Sequence, residues 1–375
     1  MSVPFAKLPG WVEYGVIPFV NLIIAFLISG LVVLFVGESP LKAAYLMVYG
    51  AFGYGEGLGF MLYYATNFIF AGLSVAVAFH AGLFNIGTEG QAYVSGIGVA
   101  IVCLLLDRVA PWYLTFPLAM LAGALFGALW AFVPGWLQAY RGSHVVITTI
   151  MFNYIATSLM LYMLNKVFKP VGQMALETRT FEQGAQIPKL GWLLGMFGLE
   201  IRNAPFNVTF LLALAACVAV FYLIWRTKLG YEMRTMGFQP KSAIYAGNKI
   251  RRLTVIAMLI SGALAGLMSL NSIMGEQYRM QLDFIGGAGF VGIAVALMGR
   301  NHPVGIIPAA MLFGMLYQGG AEISFEMPNI SRDMIVIIQG LVILFAGALE
   351  HMFRPQITQA YLAVFGRKQP QQQGA

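Results

Sequence analysis

Apolar residues run through this chain in long blocks, separated by short polar links. A helix that crosses a bilayer needs about 20 mostly apolar residues. On that template the pattern gives ten candidate spans, at 16–36, 60–80, 91–106, 112–134, 145–165, 206–225, 253–274, 285–299, 303–317 and 334–349. The pair at 285–299 and 303–317 is short and separated only by Arg300, Asn301 and His302, so full spans, half-helices and a tight helical hairpin all fit it. The 60–106 block is apolar except for a polar, Gly-rich interruption at Gly82–Gln91. The expected fold is all-α, a polytopic transmembrane helical bundle of about ten spans over residues 1–350. The remaining 351–375 reads as a partly disordered tail. The first apolar stretch, Gly15–Val36, is longer than a secretory-signal core and has no A-x-A-like site after it, so it is expected to stay as a span.

Composition supports this pattern. Hydrophobic residues make up 59% of the chain and charged residues 10%, against about 25% charged in soluble domains. Such a chain cannot cover a water-facing surface. The 43 glycines suit helices that approach closely, and Gly123-x-x-x-Gly127 and Gly262-x-x-x-Gly266 are expected at helix contacts. Cys103 and Cys217 lie in apolar runs and read as small buried hydrophobes. Two cysteines build neither a disulfide framework nor a metal cluster.

The net charge of +7 reads as loop charge rather than affinity for nucleic acid. Between 226 and 252 stand Arg226, Lys228, Arg234, Lys241, Lys249, Arg251 and Arg252 with one acid, Glu232. Basic loops stay in the cytoplasm, which orients the chain. Ten spans then put the N-terminus and the C-terminus in the cytoplasm too, and make 166–205 the longest extracytoplasmic loop. That loop holds Pro170, Pro188 and an apolar patch, Leu190–Leu199, suited to a membrane surface or a partner. An internal duplication is hinted at: GLSVAVAFHAGLFNIG (72–87) and GFVGIAVALMGRNHPVG (289–305) share Gly, Ala-Val-Ala and a Gly/Asn break. In this topology both runs cross in the same direction, as in a parallel repeat.

Candidate chemistry is sparse. No G-x-x-x-x-G-K-[ST] occurs, so the chain does not bind ATP through a P-loop. Neither H-E-x-x-H nor G-x-S-x-G is present, so an enzyme finds no support and no cofactor or metal is expected. The stretch GYGEGLG (53–59) does not sit between a strand and a helix and reads as an external turn. The interruption AGLFNIGTEGQ (81–91) carries Asn85, Thr88, Glu89 and Gln91 at or near membrane depth. Irregular backbone there must be buried in protein or line a wet cavity, and an ionisable residue such as Glu89 is a functional candidate. An ordinary cytoplasmic turn with a solvated Glu fits equally. In RGSHVVITTIMFNYIA (141–156), Thr148, Thr149, Asn153 and Tyr154 recur at helical spacing, as hydrogen-bonding glue or as path lining. After Pro240, Lys241–Ile250 is expected to form a short helix whose small Ala243, Ala246 and Gly247 admit another surface closely. The flanking cations suit an acidic partner, lipid headgroups or plain topological anchoring.

Three of these stretches, AGLFNIGTEGQ (81–91), VITTIMFNYIA (146–156) and LGYEMRTMGFQPKSAIYAG (229–247), resemble permease subunits of binding-protein-dependent ABC importers. The branch is the one serving branched-chain amino acids, simple sugars and nucleosides, and the middle stretch is most similar to the nucleoside and simple-sugar subgroup. The resemblance implies a non-enzymatic transport subunit in a bacterial cytoplasmic (inner) membrane. It also implies a second permease subunit, identical or related, ABC ATP-binding subunits that hydrolyse ATP, and an extracytoplasmic substrate-binding protein. It makes Pro240, Lys241, Ala243, Ala246 and Gly247 a coupling helix for the ATPase. Phe84, Asn85, Glu89, Gln91, Asn153 and Asn271 are the expected translocation-path residues, their polar groups offered to hydroxyls or base edges and Phe84 to a ring. The alternatives are a branched-chain amino acid permease and, outside the family, a secondary transporter or channel. The latter would need buried acids in several spans, and only Glu89 qualifies.

Overall fold

Helices account for nearly all the regular structure because the apolar blocks, once in lipid, must satisfy every backbone polar group internally. The computed structural model describes residues 17–344, apart from 197, 199, 200, 202, 332 and 343. The tail 351–375 and the first residues, with the expected cytoplasmic placement of both termini, lie outside them. The chain divides into two compact units, one of residues 48–319 and one of residues 1–47 with 320–375.

The first helices are α1 (Ile17–Phe35) and α2 (Pro40–Phe52), which bend by 118° at the break between them. Gly37 turns there with φ +82°. Candidate 16–36 is therefore one arm of a bent pair. Within the smaller unit, Ser29 Oγ donates to the Ile338 carbonyl at 3.5 Å and Asn329 Nδ2 to Glu38 Oε1 at 2.8 Å.

The larger unit is a bundle of α3 (Gly55–His80), α4 (Thr88–Leu106), α5 (Trp112–Trp136), α6 (Val145–Met163), a short α7 (Gly191–Gly195), α8 (Thr209–Arg226), α9 (Lys228–Phe238), α10 (Pro240–Tyr245), α11 (Ile250–Gly266), α12 (Met268–Ser272), α13 (Ala288–Met298) and the first part of α14 (Pro303–Glu326). The centre is α3, buried along almost its whole length, with α4 and α11 beside it; α5, α6 and α8 keep most of their surface outward. On α5 the outward face is a stripe of Leu114, Leu118, Leu121, Leu125 and Leu129, as expected of a helix facing lipid.

The two G-x-x-x-G motifs meet each other. A methyl group added at Gly262 would run into the Gly127 carbonyl oxygen, and one at Gly266 into that of Gly123. The crossing of α5 and α11 is therefore a contact of backbone on backbone. Cys103 and Cys217 are both buried thiols.

Among the described residues seven helices are long and apolar enough to cross a membrane, or eight if α1 and α2 form one bent span. The sequence pattern gave ten candidates. Candidate 285–299 fails for a local reason. Asp283, Gly286 and Gly287 all have positive φ, so helix starts only at Ala288 and α13 has 11 residues, about 16 Å. The turn after it places Arg300 and Asn301 in the left-handed region, and α14 then runs 24 residues, longer than the 303–317 block. Candidate 334–349 is described only in part, as an apolar helix over Asp333–Val342, and its end lies outside the described residues.

Gly292 packs on Ala71, Gly72 on Val295, and His80 Nε2 meets the Asn301 carbonyl at 2.9 Å. The pairs 71–292 and 80–301 keep the same offset, so α3 and α13 run parallel, the direction the matched sequence runs implied.

The long 166–205 segment folds down onto the bundle. Thr178 N–H donates to the Met280 carbonyl at 3.0 Å, Phe181 N–H to Tyr278 at 2.7 Å and Ile187 N–H to Met274 at 3.1 Å. Arg179 forks onto Asp107 at 2.6 and 2.9 Å. Burial pushes the Asp107 carboxyl up, but the Arg179 and Glu182 N–H hydrogen bonds and the Arg179 charge outweigh it and hold it below the ordinary carboxylate range. The apolar patch splits: Leu190 and Leu194 join a core cluster with Met61, Leu62 and Phe206, while Trp192 and Met196 stay exposed.

Candidate functional site

The polar interruption becomes a non-helical link that leaves α3 at His80 and turns back into the bundle before α4 begins. Gly82 makes the turn with φ +72°. The return is visible in the contacts: Thr88 Oγ1 lies 3.5 Å from Ser74 Oγ, well back along α3 from its end. The polar side chains of the stretch, Asn85, Thr88, Glu89 and Gln91, are all buried in the protein. Asn85 is fully buried; its Nδ2 donates to Gln91 Oε1 at 3.0 Å and to Ser261 Oγ at 2.8 Å, and its Oδ1 accepts from Gly87 N–H at 2.9 Å. Gln91 Nε2 returns a bond to Asn85 Oδ1 at 3.2 Å. Ser261 Oγ donates to the Ser74 carbonyl at 2.7 Å, tying α3, α11 and the link together. Asn153 on α6 clamps the link from the other side. Its Oδ1 accepts from Gly90 N–H at 3.0 Å and its Nδ2 donates to the Ile86 carbonyl at 2.9 Å.

Glu89 is 4% exposed. One oxygen accepts from Gly287 N–H at 3.0 Å, the other from Gly289 N–H at 2.7 Å. These are the first backbone donors of α13, so the carboxylate caps that helix and meets the positive end of its dipole. A side chain at Gly289 would run into the Glu89 backbone and carboxylate. Tyr93, one turn along α4, donates its hydroxyl to Asp283.

Depth follows from helix rise. Gly127 stands midway along the helical stretch Trp112–Arg141 and faces Ser95 Oγ. Glu89 lies about 9 Å from Ser95 along α4. That is within the half-thickness of about 15 Å of a hydrocarbon core centred on α5. Two helix N-termini, those of α4 and α13, thus converge inside the slab.

Asn271 belongs to a different web. It donates to the Tyr63 carbonyl at 3.0 Å and to Asn67 Oδ1 at 2.9 Å, and accepts from Asn207 Nδ2 at 2.8 Å. Tyr63 in turn reaches Glu276 and Ser272. Phe84 is half-buried, edge-on to Phe79 with ring centroids 6.4 Å apart. The structure therefore brings Asn85, Glu89, Gln91 and Asn153 together and leaves Asn271 apart. In α6, Thr148, Thr149 and Asn153 face inward and Tyr154 outward.

Sequence reading missed Ser74, Ser261, Asn207 and Asp283. Ser261 had a signal, a small polar residue directly before the first glycine of a helix-contact motif. Asp283 had one in the Gly286-Gly287 pair that follows it and ends any helix.

At the end of the bundle where α3 stops, the basic loop is a helical elbow. Thr227 Oγ1 accepts from Gly230 N–H at 3.1 Å and starts α9, which buries Met233 and Met236. Gln239 is extended and Pro240 opens α10. Helix α10 ends at Tyr245 and Gly247 (φ +83°) turns the chain out of it, with Asn248 N–H returning to the Ala243 carbonyl at 3.0 Å, a closing bond that left-handed glycine permits. Of the five expected coupling residues only Ala243 is buried; Pro240, Lys241, Ala246 and Gly247 are exposed. Phe238, Ile244 and Tyr245 are exposed around them, at 95%, 60% and 94%. The elbow touches the link directly. Gly237 and Gly82 cross backbone to backbone, and a side chain at Gly237 would run into the His80 carbonyl.

Residues 57–347 match the family model described as branched-chain amino acid transport system / permease component. The chain is 33% identical over 334 residues to the guanosine ABC transporter permease protein NupP of Bacillus subtilis (strain 168), covering 88% of this chain and 92% of that one. It is 31% identical over 366 residues to the glucose ABC transporter permease protein TsgB13 of Haloferax volcanii, covering 96% and 93%. It is 30% identical over 337 residues to the nucleoside ABC transporter permease protein NupB of Lactococcus lactis subsp. cremoris, covering 88% and 89%.

Proposed function

Because the chain belongs to the family of branched-chain amino acid transport system permease components, and is a multi-pass membrane transport subunit, we propose that it forms half of the translocation path of an ABC importer for nucleosides, with simple sugars as the second substrate class. The relatives named for guanosine, nucleoside and glucose transport support this order. A second permease chain completes the path, an extracytoplasmic binding protein delivers the substrate, and ATP is hydrolysed by a separate subunit. The 226–252 loop faces the cytoplasm of the bacterial inner membrane and the 166–205 segment faces out.

The observation that carries the reading is the elbow. The elbow presents Phe238, at the end of α9, with Ile244 and Tyr245 of α10 to the outside, while α9 is seated through buried Met233 and Met236, and an exposed apolar patch of this kind fits a protein partner. Through Gly237 and Gly82 the same elbow bears on the link that holds Asn85, Glu89 and Gln91. A partner that moves α10 moves that link. Phe84, Asn85, Glu89, Gln91, Asn153 and Asn271 remain the proposed path region, with the buried members shaping it by fixing backbone in this conformation. Glu89 bonded to two backbone N–H groups is placed as a helix cap, which counts against proton-coupled transport.

The test is reconstitution in proteoliposomes with the ATPase and binding protein encoded beside this chain, following labelled guanosine, glucose and leucine. ATP-dependent uptake, strongest for guanosine, is the expected result. Uptake by this chain alone, driven by an ion gradient, overturns the proposal.

A further inference from the structure

At the end of α5, Pro134 is followed by a π-helical turn, Leu137–Arg141. It stacks Trp136 on Tyr140 with centroids 6.0 Å apart and planes at 26°. Two guanidinium groups sit on this shelf, Arg141 at 5.5 Å from the Trp136 ring and Arg251 at 5.6 Å from that of Tyr140. Beside it open two adjoining grooves. One, of about 470 Å³, is lined by Phe132, Trp136, Tyr140, Lys249, Arg252 and Val255. The other, of about 440 Å³, includes Lys228, Glu232, Asn248, Lys249 and Arg252, three cations against one carboxylate. Lys228 already has Glu232 at 3.8 Å. Among the described residues Lys249 and Arg252 have no carboxylate partner, although both line both grooves.

The depth of these groups is set by the α5–α11 crossing, where Gly127 meets Gly262. At the helical rise, Trp136 lies about 13 Å from that level along α5 and Tyr140 about 20 Å. Along α11, Arg252 lies about 15 Å from it and Lys249 about 20 Å. The hydrocarbon ends at about 15 Å and the headgroups occupy the next 5–7 Å or so. Trp136 and Arg252 thus stand at the hydrocarbon boundary, where amphipathic aromatics settle, and Tyr140 and Lys249 stand at headgroup depth, so the two unpaired cations bracket the level of lipid phosphates.

We propose that this shelf and its grooves form a binding site for one anionic phospholipid, with the phosphate between Lys249 and Arg252 and an acyl chain along Phe132 and Val255. Charge and depth together select this occupant: a soluble anion needs no aromatic ledge, and a neutral lipid needs no unpaired cations. The site depends on α5 and α11 crossing the membrane and is independent of what the chain transports.

The full chain is reconstituted into nanodiscs of phosphatidylcholine containing a graded fraction of phosphatidylglycerol. Quenching of Trp136 by acyl-brominated phosphatidylglycerol is read as the difference between the wild type and Trp136→Phe. The expected result is half-quenching at a mole fraction about tenfold lower for brominated phosphatidylglycerol than for brominated phosphatidylcholine. Lys249→Gln with Arg252→Gln removes the preference, Arg252→Lys keeps it, and Lys166→Gln with Lys169→Gln, elsewhere on the surface, leaves it unchanged. Equal quenching by the two lipids overturns the proposal, as does a preference that survives the Lys249/Arg252 double change. Displacement of the quencher by inorganic phosphate assigns the grooves to a free anion and overturns the lipid. Loss of the preference when the ATPase subunit is bound assigns the face to that protein and does the same.

Discussion

Replacing Glu89 by Gln keeps the shape of the side chain and removes one of its two acceptors. The carboxylate takes Gly287 N–H at 3.0 Å and Gly289 N–H at 2.7 Å while 4% exposed. In the variant one N–H faces an amide NH₂. A lost hydrogen bond to a charged group costs about 1.5–3 kcal/mol, and the attraction of a carboxylate to a helix N-terminus adds about 0.3–1 kcal/mol. The expected loss is about 2–4 kcal/mol. Glu89→Ala leaves both donors buried without a partner, at about 1–3 kcal/mol each, and should cost more. Thermal unfolding of the purified chain in detergent, followed by tryptophan fluorescence, reads these as a drop of about 3–6 °C for the Gln variant and a larger one for the Ala variant. A solvated Glu in a surface turn would give neither. A Glu89→Gln melting temperature within about 1 °C of the wild type would falsify the capping assignment, and with it the placement of α13.

Four further outcomes follow from other contacts. Asn153→Ala, which frees Gly90 N–H and the Ile86 carbonyl, should cost about 2–4 kcal/mol in the same melt, and Asn153→Asp, which keeps the acceptor, less than Asn153→Ala. Gly262→Leu forces α5 from α11 against the Gly127 carbonyl and should cost about 1–3 kcal/mol or more, whereas Gly195→Leu, with open space around it, should be tolerated. Arg179→Gln should destabilise by about 2–4 kcal/mol near neutral pH, since it strands a buried carboxylate. The Asp107 carboxyl is held low in the folded chain, so that difference is full above about pH 5 and fades as pH falls through the folded-state value; a difference that grows on acidification would contradict the ion pair. Gly237→Ala should leave basal ATPase activity of the assembled transporter intact while cutting its stimulation by loaded binding protein about fivefold or more, and unchanged stimulation would remove the elbow–link contact from the mechanism.

The class of fold was legible because spans are written in one dimension, as unbroken apolar length. Helices α3, α4, α5, α6 and α8 fall within about five residues of their blocks, and the 253–274 block covers α11 and α12 together. What the pattern could not give was where apolar chain declines to be helix. Residues 285–299 look like a span, yet the positive φ of Asp283, Gly286 and Gly287 is a backbone property that hydropathy does not record. The α1–α2 bend escaped for the same reason, since Gly37 is one glycine among many. For the site, the glycine-rich interruption announced irregular backbone at depth. The residue types were readable there, but their roles came from partners far away in sequence. Asn85 looked available to a substrate until Ser261 was beside it, and Glu89 looked like a lone charge until the start of α13 reached it. The short helix after Pro240 could be read directly, because proline at the first turn and glycine past the end are local signals.

The half-length of α13 also decides where this bundle is compliant. Between Tyr278 and Gly287 the chain has no ladder of helical hydrogen bonds and is held by scattered side-chain and turn contacts, among them Tyr93 with Asp283 and Thr178 Oγ1 with Met280 N–H. Its neighbours α3 and α11 are continuous helices locked by close glycine contacts. Stiffness is therefore unevenly shared: long rods flank a short segment that can be reshaped by breaking a few bonds at a time. Amide hydrogens of 278–287 should exchange with solvent well before those of α3. Under the proposed transport role, segment 278–287 is where this unit would first be reshaped, with α3 and α11 moving as rods.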